Sequence, residues 1–220
     1  MISVAIDGPS GAGKSSLAKR LAADLGYVYV DTGAMYRSIG LYAVRQGADL
    51  RDAGAVAALL PQIRLDIRLE DGTQHIYLNG EDVSEAIRAE EIGMAASAVS
   101  AHPAVRSFLL ETQRGLAANQ NVLMDGRDIG TVVLPHATVK IFLTASAEAR
   151  AQRRCKELQE KGKPAVYETV LADIQQRDYQ DTHREVAPLK QAEDAILVDT
   201  STIDFDQSFA LLKRTILEHI

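Results

Sequence analysis

Gly8-Pro9-Ser10-Gly11-Ala12-Gly13-Lys14-Ser15 is the stretch on which the fold reading turns. It satisfies G-x-x-x-x-G-K-[ST], a glycine-rich loop whose backbone N–H groups cradle phosphates. Its surroundings agree. Residues 2–7 read Ile-Ser-Val-Ala-Ile-Asp, a short apolar run suited to a buried parallel strand. Beyond Lys14, Leu17, Leu21 and Leu25 recur at helical spacing, and Gly26 supplies a stop. Glycines let the backbone wrap an anion closely. The helix N-terminus adds unpaired donors and a partial positive charge. On this reading Lys14 reaches the β/γ-phosphates of a nucleoside triphosphate, and the Ser15 hydroxyl ligates Mg²⁺.

The composition narrows the class. A length of 220 residues suits one large α/β domain with excursions. Hydrophobic residues at 46% and charged residues at 25% are ordinary for a globular chain, so a disordered or fibrous class is excluded. Cys155 is the one cysteine, which rules out an intramolecular disulfide and fits a reducing compartment. No apolar run approaches the ~18 residues of a membrane span. The chain enters a strand at once, so no leader peptide is expected, and the expected location is the cytoplasm. A net charge of −6 argues against a nucleic-acid partner, which favours a basic surface. Phosphate-binding arginines must then be concentrated locally.

Strands and helices alternate along the chain. Residues 27–30 read as a second strand ending at Asp31, and residues 33–46 as a helix stopped by Gly47. Residues 122–125, 139–144 and 196–199 are three further apolar strands. Phe205, Phe209, Leu212 and Ile216 mark a C-terminal amphipathic helix within residues 204–220. This order predicts an α/β fold with a five-stranded parallel sheet and helices on both faces. Ligands in such sheets bind beyond the carboxyl ends of the strands. Asp7, Asp31, Asp125 and Asp199 each follow an apolar strand, so several are expected to look into one crevice.

One segment breaks the alternation. Ile63, Leu65, Ile67 and Leu69 alternate with Arg64, Asp66 and Arg68, which is strand period. Asp71-Gly72 and Asn79-Gly80 flank Ile76-Tyr77-Leu78, and such dipeptides are strong hairpin signals. An antiparallel meander is expected over residues 64–83. Ser84, with Ile87, Glu90, Glu91 and Met94, is expected to open a helix after it. The meander either covers a second substrate or serves stability, and spacing alone leaves both open.

Arginines supply the next layer. Arg37 follows the second strand and Arg127 the third. Arg150, Arg153, Arg154, Lys156, Lys161 and Lys163 cluster against only Glu157 and Glu160, and Arg177 and Arg184 follow. Guanidinium forks suit phosphate oxygens, and phosphoryl transfer needs positive charge on several oxygens at once. A basic segment between the fourth and fifth strands suits a mobile lid. Arg150 and Lys156 are expected on a solvated helix face. The five histidines lack metal-ligand spacing, Gly-x-Ser-x-Gly does not occur, and no Lys is followed two residues later by Asp, as GTP switch proteins require. A small kinase fits better than a switch.

The residues also carry a resemblance. Residues 7–15, Asp31-Thr32-Gly33-Ala34-Met35-Tyr36-Arg37 and residues 125–133 (Asp-Gly-Arg-Asp-Ile-Gly-Thr-Val-Val) resemble bacterial cytidylate kinases, nucleoside monophosphate kinases. Arg177-Asp178, Asp181, Arg184 and Val186-Ala187-Pro188-Leu189 extend it over nearly the whole chain. The resemblance implies ATP-dependent phosphorylation of CMP and dCMP to CDP and dCDP in pyrimidine nucleotide metabolism, with Mg²⁺ bound alongside ATP, by a monomer. It assigns Gly8, Pro9, Ser10, Gly11, Ala12, Gly13, Lys14, Ser15 and Ser16 to the ATP phosphates and Mg²⁺. It assigns Arg37, Arg127 and Arg184 to the CMP phosphate, and Ser97, Arg106 and Asp128 to cytosine. Thr32, Arg177 and Asp181 fall to the sugar, and Arg153 and Arg154 to the transferred phosphoryl group. From the residues alone, Ser97 also reads as a small packing residue and Arg106 as a solvated one. Lys14, Arg127, Asp128, Arg153, Arg154 and Arg184 form the expected catalytic set. One kinase domain is implied, with a core over residues 1–59, 101–145 and 188–220, a monophosphate-binding insert at about 60–100 and a lid at about 146–187. Two other readings stay open: a P-loop kinase for another small acceptor, and a nucleotide-binding regulator with little turnover.

Overall fold

The computed structural model describes residues 1–70 and 73–220. In chain order the elements are β1 (Ser3–Asp7), α1 (Lys14–Leu25), β2 (Val28–Asp31), α2 (Thr32–Arg45), α3 (Ala53–Leu59), β3 (Leu65–Glu70), β4 (Thr73–Leu78) and β5 (Glu81–Asp82). They continue with α4 (Glu90–Val99), α5 (Pro103–Ala118), β6 (Val122–Gly126), β7 (Val139–Thr144), α6 (Ala147–Glu160), α7 (Tyr167–His183), β8 (Ile196–Asp199) and α8 (Phe205–Leu217). A π-helical turn covers Ile129–Val133. The chain divides into two compact units, one from Met1–Val28 and Gln120–Ile220, the other from Tyr29–Asn119. Among the described residues, no helix is long and apolar enough to cross a membrane.

β6, β1, β7 and β8 of the first unit lie in a five-stranded sheet of order β2-β6-β1-β7-β8, with helices on both faces, and β2 starts at Val28, the last residue of that unit before the chain enters the second. Val28 N–H bonds Asn121 O at 2.9 Å, at the sheet edge where the chain leaves for the second unit. β1 lies at the centre, parallel to β6 and β7, and Val4, Ala5 and Ile6 are fully buried. That explains its unbroken apolar run, since a central parallel strand is covered on both faces. Asp7 stands level with Gly126 on β6 and Phe142 on β7, so the loops after β1 and β6 leave the sheet side by side. Leu17 and Leu21 of α1 turn inward as their spacing predicts. α8 starts at a capping box in which Asp204 and Gln207 satisfy each other's backbone N–H groups. The Arg20 guanidinium carbon lies 4.1 Å from the centre of the Phe209 ring, fastening α8 to α1.

The second unit holds the antiparallel sheet β3-β4-β5 and helices α2 to α5. The meander expected over residues 64–83 is present. Its Asn79-Gly80 turn has φ of 52° and 89°, the paired positive values of a type I′ turn. The Asp71-Gly72 turn lies outside the described residues. Ile76, Leu78 and Val83 from the meander join Met35, Ile39, Val56, Ile87 and Leu109 from the helices in one core. The helix expected from Ser84 does not start there. The Ser84 hydroxyl instead accepts from Ile76 N–H at 3.0 Å, and α4 begins at Glu90. Met94 is 67% exposed, because the buried face of α4 is Ile92, Ala95, Ala96 and Val99. α2 crosses that face at Gly40, where an added Cβ would stand 3.0–3.1 Å from Ala95 and Ala96 atoms. This close approach is closed to a larger residue.

Candidate active site

The phosphate loop follows β1 directly, and its shape is dictated by what surrounds it. A Cβ at Gly8 would fall 1.9 Å from the Leu143 carbonyl oxygen, so only glycine leaves room for β7. α1 starts at Lys14, and Gly13 caps it from a left-handed conformation with no side-chain cap. The free N–H groups of this first turn therefore remain for an anion. Pro9, Ser10, Gly11 and Ala12 form the loop itself, and Ser16 lies exposed on the first turn of α1.

Lys14 is 5% exposed, and its ammonium donates to Gly8 O and Pro9 O, each at 2.8 Å. Burial, then the nearby Arg127 charge, pushes its pKa down to about 7, against the pull of Asp125, Asp7 and Asp181. The Ser15 hydroxyl donates to Asp125 Oδ2 at 2.8 Å. A hydroxyl and a carboxylate side by side are hard oxygen donors. They suit Mg²⁺, which takes few protein ligands and completes its shell with water and phosphate oxygens. Asp125 was legible only as an acid at a strand end.

Of the four strand-end acids, several of which are expected to share one crevice, two lie at the loop. Asp7 accepts from Ile129 N–H at 2.8 Å and Gly130 N–H at 2.7 Å, fixing the start of the π-helical turn. Burial raises its pKa to about 6, against the lowering effect of those two bonds. Asp125 meets Ser15. The other two acids serve local structure: Asp31 caps α2 through Ala34 N–H, and Asp199 accepts from Ser201. A short side chain beside unpaired N–H groups is captured by them before it can reach a distant crevice.

Arg127 and Asp128 sit between β6 and the π-helical turn. Such turns are rare and occur often at functional sites. Arg127 Nε donates to Asp181 Oδ2 at 2.8 Å. Arg184 lies 3.7 Å from both Asp128 Oδ1 and Asp181 Oδ1, and its Nε donates to Ala187 O at 2.7 Å. Ala187 has a φ of 47°, a left-handed strain uncommon outside glycine. Burial works against the charge on Asp181, yet Arg127, with Arg184 and Arg177, holds its carboxyl below the usual range. The structure thus gathers Arg127, Asp128, Arg177, Asp181 and Arg184 into one cluster of three cations and two carboxylates.

The second unit carries the other expected site residues. Thr32 is buried on the first turn of α2. Arg37 is half-buried on the same helix. Ser97 is half-buried on α4. Arg106 is buried rather than solvated: Nε donates to Ser100 O at 2.9 Å, Nη1 to Tyr36 Oη at 3.3 Å, and the guanidinium stands 5.5 Å from the Tyr36 ring centre. Tyr36 and Ser100 are partners that sequence reasoning missed.

On α6, Lys156 is exposed as expected, but Arg150 is 4% exposed, which overturns its place on a solvated face. It is bonded to Ala145, Ser10 and Asp178. Arg153 donates to the Thr200 carbonyl and hydroxyl and to Ile203 O. Arg154 pairs with Glu157 at 2.9 Å. The partners of these two arginines, Thr200, Ile203 and Glu157, are not members of the Arg127 cluster. Among the described residues, no group of three or more His, Cys, Asp or Glu could hold a metal ion unaided.

Comparison with known proteins bears on this site. The sequence profile of the family described as cytidylate kinase matches residues 4–216. A cytidylate kinase of Geobacter sp. strain M21 is 49% identical over 99% of this chain and 93% of its own. One from Lactobacillus johnsonii is 48% identical over 98% of this chain and 94% of its own, and one from Geobacillus sp. strain WCH70 is 47% identical over 100% and 98%. Among solved structures, an uncharacterized protein from Eubacterium ventriosum shares the fold, with a TM-score of 0.51 at 13% identity over 98% of each chain.

Proposed function

The chain belongs to the cytidylate kinase family and is a kinase, and from that premise we propose that it transfers the γ-phosphoryl group of MgATP to CMP and dCMP. The products are ADP with CDP or dCDP. The observation that carries the reading is the arginine cluster about Asp181. An alcohol acceptor needs a carboxylate base. A monophosphate acceptor is already nucleophilic and needs several cations to offset repulsion between two polyanions. Asp181, held ionised between arginines, suits the second case.

The residues act by alignment and charge. Residues 8–16 take the triphosphate, with loop N–H groups and the first turn of α1 as donors. Lys14 exchanges the Gly8 and Pro9 carbonyls for phosphate oxygens as the nucleotide enters. A polyanion beside it raises its pKa from near 7, so binding above neutrality takes up a proton. Mg²⁺, held through Ser15 and Asp125, would neutralise charge on the donor phosphates. Arg37, Arg127 and Arg184 take the acceptor phosphate, with Thr32, Arg177 and Asp181 at the sugar. Ser97, Arg106 and Asp128 read the base. Asp7 keeps Arg127 and Asp128 in place through the turn it caps. Arg153 and Arg154 reach the transferred group when a lid at about 146–187 closes, and the insert at about 60–100 covers the monophosphate. We also read the enzyme as a monomer, as the family resemblance implies, and as cytoplasmic with no nucleic-acid partner, the last two supported by its single cysteine and acidic charge.

A coupled assay of ADP release across CMP, dCMP, UMP, AMP and shikimate tests this. CMP and dCMP are expected to be the best acceptors. Faster turnover with AMP or shikimate overturns the acceptor assignment.

A further inference from the structure

Arg150 has no part in the mechanism above, yet it is bonded to the middle of the phosphate loop. Four of its five N–H donors are engaged. Nε donates to Ala145 O at 2.9 Å, next to the end of β7. Nη1 donates to Ser10 O at 2.9 Å, in the middle of the loop, and to Asp178 Oδ1 at 2.9 Å. Nη2 donates to Asp178 Oδ2 at 2.5 Å, completing a two-pronged ion pair. Its aliphatic stem backs the loop: a Cβ built on Gly11 would meet Arg150 Cβ at 3.7 Å and Cδ at 3.9 Å.

We infer that Arg150 is a positioning residue for the phosphate loop, and that Asp178 sets it, so that α7 governs where the Ser10 carbonyl points. In a planar trans peptide the carbonyl of one residue and the N–H of the next point in opposite directions. A donor that pins Ser10 O on the Arg150 side therefore aims Gly11 N–H away from it, toward the concave face where phosphate is bound. Without that pin, a Gly-Ala-Gly segment has many backbone states to choose from, and each must be given up when phosphate binds. Asp178 fixes the guanidinium plane, because a bidentate carboxylate leaves the fork one orientation. Asp178 lies on α7 beside Arg177 and one turn from Asp181, so the helix bearing the acceptor-side residues also holds the donor loop. An ion pair whose arginine is buried and whose carboxylate is half-buried contributes little net stability once desolvation is counted. Its position against Ser10 and Gly11 is what gives it a role.

The inference rests on the loop being the donor-phosphate site, and its test separates the two. Mg²⁺ tripolyphosphate carries neither base nor ribose and reports on the loop alone. Its dissociation constant is measured by calorimetry on the full chain for wild type, Arg150→Met, Asp178→Asn and the double variant. Urea unfolding midpoints are recorded for each. Both single variants are expected to weaken tripolyphosphate by at least about tenfold and to raise KM for ATP by a similar factor, while the double variant is no weaker than Arg150→Met. Asp178→Asn touches no loop atom and keeps its size, so it carries the test if Arg150→Met fails to fold. Lowered unfolding midpoints with tripolyphosphate affinity unchanged within twofold overturn the inference, since a purely structural pair behaves that way. Loss of ATP affinity with tripolyphosphate unaffected also overturns it, because Arg150 would then act on the nucleoside. Failure of wild type to bind tripolyphosphate instead refutes the donor-site reading beneath it.

Discussion

Lys14 offers a test in which the stability difference between wild type and variant shifts with pH. Its folded pKa is about 7 against an ordinary 10.5, and burial is the main cause. The folded protein therefore binds fewer protons than the unfolded chain between those values, and stability rises with pH across that window. At pH 7 the unfolded lysine is charged and the folded one half-charged, which costs at most about 4 kcal/mol from the size of the shift. At pH 10 the same arithmetic leaves about 1 kcal/mol. Lys14→Met removes the buried charge but strands the Gly8 and Pro9 carbonyls, at about 1–3 kcal/mol each when buried. That second loss does not depend on pH. From pH 7 to pH 10, wild type is therefore expected to gain about 3 kcal/mol on the variant. Urea unfolding of the ligand-free proteins at the two pH values measures this, and activity of Lys14→Met at pH 7 is expected to fall at least a hundredfold. A stability difference that stays constant with pH refutes the reasoning, because Lys14 would then be charged at no cost in the fold.

Gly40→Ala is expected to destabilise by about 1–3 kcal/mol, because its Cβ meets α4 at 3.0–3.1 Å; an unchanged melting temperature shows that the two helices part freely. Asp128→Asn tests base choice: a buried carboxylate accepts from the cytosine amino group but faces an oxygen in uracil. Wild type should prefer CMP over UMP at least about tenfold in kcat/KM, and the amide should narrow that ratio; a ratio that stays put moves the reading of the base to Ser97 and Arg106. Hydrogen exchange across residues 150–184 is expected to slow when ATP and CMP saturate the enzyme, and equal protection with and without them counts against a lid.

The nucleotide loop, the alternation of strands and helices, and the meander were all legible in the sequence, because each is written in local physics. Val4, Ala5 and Ile6 announce a strand covered on both faces, Leu17 and Leu21 a helix with one buried stripe, and Asn79-Gly80 a turn that needs two positive φ values. Residue type and spacing suffice for these, since the pattern that marks each element lies within a few positions of the chain. Ser84 misled for the same reason: a capping pattern is local, but its hydroxyl was taken by Ile76 on a neighbouring strand. Tertiary structure alone decided where the charges went. Arg150 reads as one more cation on a basic helix, and it is buried only because Ser10, 140 positions away, and Asp178, 28 positions away, converge on it. Asp7 and the π-helical turn it caps are more than 120 positions apart. A charged side chain enters a protein interior only where partners from distant segments replace its water, and that condition depends on the packed chain, not on the residues beside it.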